Sequence, residues 1–323
     1  MAVTTALPEA GGLAALVSRI DAEFGGPVYA AIESMNGPGS CTTSWSWRAG
    51  RSRSPTREKV KGLAPLACKT DKIDSWVLAE LSRRDLVPAI WLPTPTVRAE
   101  RERARWRLHL VRHRTALKNR IHATLLAFGY PCPVSDLFGV GGRELLHRLA
   151  LPEPWAGDTT AALQLIDELD EQIADCEHAL RRAGADHRYV PLLMTTPGIG
   201  WVLGYTIAAE IGDIARFPSP TKLAGYTGLC PRVYQSGGKD HRGPLARNGP
   251  KYLRWALIEA AVHACRHPAY AERYRRTKTR LGRQRGPKVA QVDLARRLAE
   301  AIWHMLSTNQ PFAPAGAALS LAS

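Results

Sequence analysis

"TTPGIGWVLGYTIAAEIGDIARF", residues 195–217, joins a P-G-I-G turn to a run of small and apolar residues. The run predicts a helix, and the turn before it favours a helix-hairpin-helix motif. The turn of such a motif offers backbone N–H groups to a DNA phosphate without contacting the bases. Gly198 and Gly200 are therefore predicted to bind DNA, although a plain helix-capping turn explains the tetrapeptide nearly as well.

A second turn-rich stretch, YQSGGKDHRG at residues 234–243, lies between two segments that are predicted to be helical. Ser and Gly are ordinary turn residues, so a surface loop with no further role is one interpretation. The other is a loop that presents the Ser236 hydroxyl to a polyanion, because Lys239, His241 and Arg242 follow it closely. Beyond it we predict an amphipathic helix, the basic segment YRRTKTRLGRQRGPK at 274–288, and a last helix.

Residues 94–129 are predicted to form one long helix that carries nine Lys or Arg and two Glu. A solvated charged face is the default interpretation of such a run. The excess of one sign nevertheless favours a surface that faces phosphates of RNA or DNA. An apolar stripe along this helix consists of Leu108, Val111, Leu117, Ile121 and Leu125.

A second helical block at residues 159–184 repeats apolar side chains at three-and-four spacing. This repeat suits a coiled coil, formed either within one chain or between chains, although about three heptads is close to the minimum for that assignment. The repeating residues are Leu163, Ile166, Leu169, Ile173, Cys176 and Leu180.

The N-terminal part is predicted to be an α/β domain. A helix at residues 8–24 precedes PVYAAIES (27–34), a short apolar run that predicts a buried strand ending in the acid Glu33. Another helix begins within CKTDKIDSWVLAEL (68–81), where Asp71 and Asp74 lie three residues apart on one face of its first turn. Acids at a helix N-terminus also suit the helix dipole, so simple capping is the alternative to a ligand role.

Residues 38–57, PGSCTTSWSWRAGRSRSPTR, interrupt this pattern because they have no apolar period. A disordered basic insert is one interpretation. The other is a local frameshift, since GC-rich codons for this stretch, read in the neighbouring frame, would encode VHDQLELAGWEVEIADA. That peptide has the pattern of a helix, a Gly turn and a β-strand, which an α/β domain needs at this point.

Composition limits the classes of function. The 323 residues can fill two or three domains, and 44 Lys and Arg against 29 Asp and Glu give a net charge of +15. This charge favours a phosphate-bearing partner, and without an apolar run of about 18 residues a membrane is the weaker choice. The six cysteines show no C-x-x-C spacing, and the N-terminus lacks signal-peptide features. We expect a cytoplasmic, nucleoid-associated protein without zinc or disulfides.

Taken in order, five runs resemble one family, the insertion-sequence transposases of the DEDD-plus-serine type (insertion-sequence family one-ten, with the Piv-type DNA invertases). The resemblance extends from about residue 8 to 310, apart from residues 38–57. The runs are VYAAIESMNG, KVKGLAPLACKTDKIDSWVLAEL, TTPGIGWVLGYTIAAEIGDIARF, KLAGYTGLCPRVYQSGGKDHRG and NGPKYLRWALIEAA.

The resemblance implies a RuvC-like, RNase H-type domain that holds Mg²⁺ or another divalent cation on four acids, and a C-terminal domain with a nucleophilic serine. By position, Glu33 resembles the second acid, Asp71 and Asp74 the third and fourth, and Ser236 the nucleophile. The first acid belongs on a strand before residue 8, so we expect a truncated domain here. Basic residues beside the serine would then balance phosphate charge, and an aromatic residue would position DNA. These residues are Lys239, Arg242 and Tyr234.

Three domains follow from these patterns: a truncated RuvC-like domain at 1–92, a basic helix and coiled-coil linker at 93–190, and a C-terminal transposase domain at 191–323.

The first hypothesis for function is a DNA recombinase that moves its own element. By the resemblance, an element-encoded structured RNA guides it, and it assembles as a dimer or tetramer through helix 159–184. The second is a catalytically inactive remnant that only binds nucleic acid. A third, a RuvC-like nuclease without transposition, leaves the Ser236 loop without a role.

Overall fold

The structure is a computed structural model that describes residues 10–25, 30–31, 52–53, 71–86 and 91–314. Contacts between Cα atoms divide the chain into two compact units, Met1–Thr94 and Pro95–Ser323. The predicted three-part division, with a boundary after residue 190, stays a prediction. None of the helices among the described residues combines the length and the apolar character that crossing a bilayer requires.

In the first unit, one helix precedes and one follows a short parallel strand pair along the chain, which is consistent with the predicted α/β class. Its elements are α1 (Ala10–Phe24), β1 (Ala30–Ala31), β2 (Ser52–Arg53) and α2 (Asp71–Arg83). Ala30 pairs with Ser52 and Ala31 with Arg53. β2 therefore lies within residues 38–57, whose other residues, like Glu33, are outside the described ranges. On α2, hydrogen bonds from Arg83 and Arg84 lower the pKa of Glu80 to about 2.

The second unit is mostly helical. It contains α3 (Pro95–Ala127), α4 (Val140–Arg148), α5 (Trp155–Ala185), α6 (Val190–Leu193), α7 (Trp201–Ile211), a 3₁₀ turn (Ile214–Arg216), α8 (Pro220–Tyr226), β3 (Pro231–Ser236), β4 (Lys239–Leu245), α9 (Lys251–Ala264) and α10 (Pro268–Thr308). Helix α7 is the centre of this unit, because every residue from Gly204 to Ile211 is buried. Small residues such as Ala208 on α7 and Ala260 on α9 belong to the same core cluster, which lets these helices approach closely.

Helices α3 and α5 form an antiparallel pair within one chain. Ion pairs join Arg107 to Glu177, Arg114 to Asp170 and Arg120 to Asp158. From the first of these pairs to the third, the residue number rises on α3 and falls on α5, so the two helices are antiparallel. Ile166 of the predicted stripe is fully buried beside Ile121 of α3. The apolar stripe of residues 159–184 thus packs inside its own chain, and assembly of a dimer or tetramer through this helix stays a prediction.

Helix α3 is also joined to α7 through a buried carboxylate. Glu210 is 0% exposed, and its two carboxylate oxygens accept hydrogen bonds from the Nε and Nη2 atoms of Arg105, at 2.8 and 3.1 Å. Arg101 donates to the backbone oxygens of Ala209 and Glu210. Burial lowers the pKa of Arg105, but the carboxylate outweighs it and the net shift is upward. At least five of the nine cations on α3 are therefore paired with acids of the same chain, which the sequence of α3 alone does not show.

Candidate functional site

Ser236 lies at the tip of a two-stranded antiparallel hairpin. The stretch that contains it was predicted as a loop, but β3 and β4 are joined by only two residues, Gly237 and Gly238. Both glycines have positive φ angles, 57° and 77°, as the type I′ turns of two-residue hairpins require. A Cβ added at either one would meet no atom within 4 Å. Backbone conformation, and not crowding, therefore explains these glycines.

The register of the hairpin places four functional groups on one face. Ser236 pairs with Lys239, and Tyr234 pairs with His241. Side chains directly opposite each other share a face, with Cβ atoms about 4.5–5.5 Å apart, and alternate residues return to that face. A hydroxyl, an ammonium group, a phenol and an imidazole thus line one side of the ladder. Arg242 pairs instead with Val233, one position out of step with this set.

This face is open to solvent. Ser236, Lys239 and His241 are exposed, and Tyr234 is 57% exposed. A Cβ added at Gly243 would lie 3.3 Å from Cε2 of Tyr234, so the phenol ring lies across β4 where that strand has no side chain. The arrangement can hold an anionic group beside the serine hydroxyl, because the cation of Lys239 is directly across the ladder.

The base of the hairpin is anchored on the second unit's core. The Ala246 N–H donates to the Cys230 carbonyl at 2.8 Å, and the Arg247 N–H donates to the Gly228 carbonyl at 3.2 Å. Arg254 of α9 reaches the Thr227 carbonyl at 3.2 Å. Burial and the neighbouring Arg247 lower the pKa of Arg254. Two arginines close together add positive potential to the end of the hairpin opposite Ser236.

The predicted metal ligands belong to the first unit. Asp71 and Asp74 occupy the first turn of α2, as their spacing predicted, and this i,i+3 placement suits two ligands of one cation. Glu33 lies outside the described residues. No three His, Cys, Asp or Glu form a metal-binding group among the residues that the structure describes. The side chains of Asp71 and Asp74 are not among those described, so the role of all three acids stays a prediction.

The P-G-I-G turn connects α6 to α7. The Ile199 N–H donates to the Thr196 carbonyl at 3.1 Å, and Gly198 has a φ of 82°, which is the pattern of a type II turn with Pro197 at its second position. A Cβ at Gly198 would lie 2.9 Å from the backbone nitrogen of Ala264 on α9. Gly200, in contrast, is exposed with open space around it. The two glycines predicted to bind DNA thus differ: Gly198 packs on a helix, and Gly200 faces solvent.

Replacing Gly198 with alanine should destabilise the second unit by more than about 2 kcal/mol, because the positive φ and the contact with α9 both oppose a side chain. The matched change Gly200→Ala should cost no more than about 1 kcal/mol, since Gly200 has an extended backbone at the helix cap. Thermal unfolding of both variants measures the difference. Equal melting temperatures for the two variants would contradict the packing role of Gly198.

Sequence reasoning left His241 as a phosphate contact or a residue without a role. The missed signal was the Gly-Gly pair shortly after the strand formers Val233 and Tyr234, because two glycines between strands predict a two-residue hairpin. Once the hairpin is recognised, the period of two places His241 on the face of Ser236.

Two protein-family models match the chain. The model described as Transposase IS116/IS110/IS902 family matches residues 190–276, which include the hairpin. A DEDD transposase model of the IS110 type matches residues 9–129, which include the predicted acids and the whole of α3.

Curated relatives agree with these matches. The transposase for insertion sequence element IS1328 of Yersinia enterocolitica is 33% identical over 205 residues, covering 60% of this chain and 58% of the relative. A probable family 20 transposase of Pseudomonas aeruginosa is 27% identical over 256 residues, 76% of this chain and 74% of the relative. The pilin gene-inverting protein of Moraxella bovis is 34% identical over 155 residues, 46% of this chain and 45% of the relative. The chain thus spans less than two thirds of the Yersinia and Moraxella proteins.

Both family models fall on the parts of the chain that carry the hairpin and the predicted acids, and the relatives are named as insertion-sequence transposases and as a gene-inverting protein. The chain belongs to the IS110/IS116/IS902 family of transposases.

Proposed function

We propose that this chain cuts and rejoins DNA as the transposase of an insertion sequence, with Ser236 as its nucleophile. The observation that carries the proposal is the exposed hairpin face, where Ser236 shares one side of a ladder with Lys239, Tyr234 and His241. The face lies inside the region matched by the family model. An unhindered hydroxyl beside a cation suits attack on a phosphodiester, whose charge would otherwise repel a nucleophile.

In the proposed reaction, Oγ of Ser236 attacks phosphorus, a phosphoserine bond forms, and the bond to one deoxyribose oxygen breaks. The imidazole of His241 accepts the serine proton, and the departing oxygen takes a proton from solvent. Cross-strand diagonal neighbours such as Ser236 and His241 are about 7–8 Å apart between Cα atoms, within reach through one water. Lys239 stabilises the charge on the phosphoryl oxygens. Attack by a free hydroxyl of another strand then releases the serine and rejoins the DNA.

Glu33, Asp71 and Asp74 are proposed to hold Mg²⁺ in a RuvC-like, RNase H-type domain. Hard divalent cations prefer carboxylate oxygens, which is the donor set these residues supply. The bound cation would supply charge stabilisation to phosphate oxygens of a nucleic acid. The acids themselves orient the cation and, with the backbone of α2, keep two ligands on one helical turn.

The partners proposed are DNA of the element ends and target, a structured guide RNA, and further copies of the chain in a dimer or tetramer. The net charge of +15 supports a polyanionic partner. The family relatives named as transposases support DNA. Light scattering of the chain with and without each nucleic acid would give the oligomer count.

The direct test is to trap the covalent intermediate. End-labelled DNA carrying the element ends is incubated with the protein and Mg²⁺, denatured, and resolved by electrophoresis. A labelled protein band whose adduct maps by mass spectrometry to the peptide containing Ser236 is expected. Salt-sensitive DNA binding without any adduct would instead favour the inactive remnant.

Metal removal should abolish the adduct. Chelation with EDTA, or the substitution Asp71→Asn or Asp74→Asn, is expected to reduce adduct formation roughly 100-fold or more, because charge stabilisation of the transition state is lost. Added Mg²⁺ should restore the chelated protein but not the variants. Asp21→Asn is the matched control, since Asp21 is an exposed acid of α1 and is not among the proposed ligands. Undiminished adduct in EDTA would contradict a metal-dependent reaction.

A further inference from the structure

Helix α10 folds back on itself at Gly282. This residue has φ 75° and ψ 178°, which is not helical, and it separates one arm at 268–281 from another at 283–308. Beyond the turn, a Cβ added at Gly286 would lie 3.0 Å from the backbone carbon of Lys278, so the returning chain touches the first arm directly. Arg273 and Asp293 join the two arms through hydrogen bonds of 2.7 and 3.1 Å. The corner at residues 275–288 therefore has a defined shape.

This basic corner carries seven cations and no acid. Its residues are Arg275, Arg276, Lys278, Arg280, Arg283, Arg285 and Lys288, and all seven side chains are exposed. Arg275 pairs with Glu272. Among the described residues, no carboxylate lies within ion-pair distance of the other six. Helix α3 differs, because at least five of its nine cations are paired with acids.

We propose that the basic corner is a second binding surface, a clamp for the phosphate backbone of a nucleic acid. Cations fixed close together repel one another unless a polyanion or its equivalent neutralises them, and a phosphodiester backbone supplies evenly spaced charge. Five of the seven are arginines, whose planar guanidinium groups pair with phosphate oxygens in two-bond geometry.

The composition of the corner also indicates how it binds. No aromatic residue lies at 275–288, so there is no platform for stacking bases. Contacts to phosphates alone position a nucleic acid without selecting its sequence. The clamp is therefore sequence-independent, and it lies largely beyond the region matched by the family model, which ends at residue 276. It rests on the proposed function only for the choice of a nucleic-acid partner.

The test compares two double variants of equal charge in the full-length chain. Arg283→Gln/Arg285→Gln removes two cations of the corner, and Arg181→Gln/Arg182→Gln removes two exposed cations of α5. Binding of a 30-bp DNA duplex of random sequence and of an RNA hairpin of similar length is measured from 50 to 200 mM salt. If both arginines contact phosphates, the corner variant loses about 1.8 from the salt slope on duplex DNA, and about 30-fold in affinity near 0.15 M.

The two probes identify the occupant. A loss confined to duplex DNA assigns the clamp to DNA, a loss confined to the hairpin assigns it to RNA, and losses on both support a shared backbone surface. A corner variant that binds both probes like the α5 control overturns the proposal. If the melting temperature of Arg283→Gln/Arg285→Gln differs from that of the wild type, Lys278→Gln/Lys288→Gln replaces it in the same binding measurements.

The proposals for the clamp and for the nucleophile can be overturned independently of each other. Ser236→Ala should bind both probes with the wild-type salt slope, because the corner does not depend on the hairpin hydroxyl. If no adduct forms at Ser236 but the corner variant still has a reduced salt slope, the clamp stands although Ser236 is not the nucleophile. An intact adduct with no slope change in the corner variant would remove the clamp and keep the proposed function.

Discussion

Replacing Ser236 with alanine should lower the formation of the covalent protein–DNA adduct by at least about 10⁴-fold, because removal of an attacking nucleophile costs as much as the loss of the whole catalytic unit. Stability should change by less than about 0.5 kcal/mol, since Ser236 is exposed at the tip of a hairpin. Single-turnover trapping with labelled DNA measures the first quantity and thermal unfolding the second. The combination of lost chemistry and preserved fold distinguishes a nucleophile from a structural serine.

Two neighbours on the hairpin provide the controls. Gln235→Ala changes the residue beside Ser236 and should leave the adduct at its wild-type level, because Gln235 is on the opposite face of the ladder. His241→Ala should give an intermediate loss of about 10²–10⁴-fold if His241 accepts the serine proton. Adduct formation by Ser236→Ala at the wild-type rate would place the nucleophile elsewhere in the chain.

Replacing Glu210 with glutamine should destabilise the second unit by about 3 kcal/mol. The carboxylate is 0% exposed, and its removal leaves the guanidinium of Arg105 and the nearby Arg101 without their buried anion. Breaking a buried pair by neutralising one partner costs about 3–5 kcal/mol, and the lower end applies because Arg105 is 34% exposed. For a unit of this size the melting temperature should fall by about 6–12 °C.

The matched control for Glu210 is Glu177→Gln on α5. Glu177 also pairs with an arginine of α3, but its side chain is 43% exposed, so water can replace the pairing. The cost there should stay within about 1 kcal/mol. Similar melting temperatures for the two variants would show that burial does not control the strength of these pairs.

The sequence predicted the long helices well because each carries its own signal. Helices were expected at 8–24 and 159–184, and the structure places them at Ala10–Phe24 and Trp155–Ala185. Apolar periodicity over many residues needs no knowledge of the rest of the chain. The coiled-coil assignment and the helix-hairpin-helix motif stay predictions, since neither follows from helix positions alone.

What the sequence could not supply were contacts between distant residues. The partner of Glu210 lies 105 residues earlier, and the pairs between α3 and α5 span 70 and 56 residues. The acids that pair with cations of α3 lie on α5 and α7, so these pairs could not be predicted, and the phosphate-facing surface of α3 stays a prediction. The turn at Gly282 was not predicted for a different reason, since an isolated glycine in the basic segment 274–288 does not by itself mark a break. For the site, the resemblance implied Ser236, whose role stays a prediction, but the sequence did not show the face that Ser236 shares with His241.

Ser236 lies far from the base of the hairpin, so a small rotation at the base displaces it strongly. Five residue steps separate Pro231 at its base from Ser236 at its tip, about 17 Å at a rise of roughly 3.3 Å per residue. A tilt of about 10° at the base would therefore displace the serine by about 3 Å. This displacement is as large as the separation of about 3–3.5 Å at which two reacting atoms must be held. Two strands alone are only marginally stable in water, so they hold a fixed angle poorly. The positional accuracy of the serine is thus set partly by the fold beneath it and partly by whatever the hairpin rests against when it reaches its target.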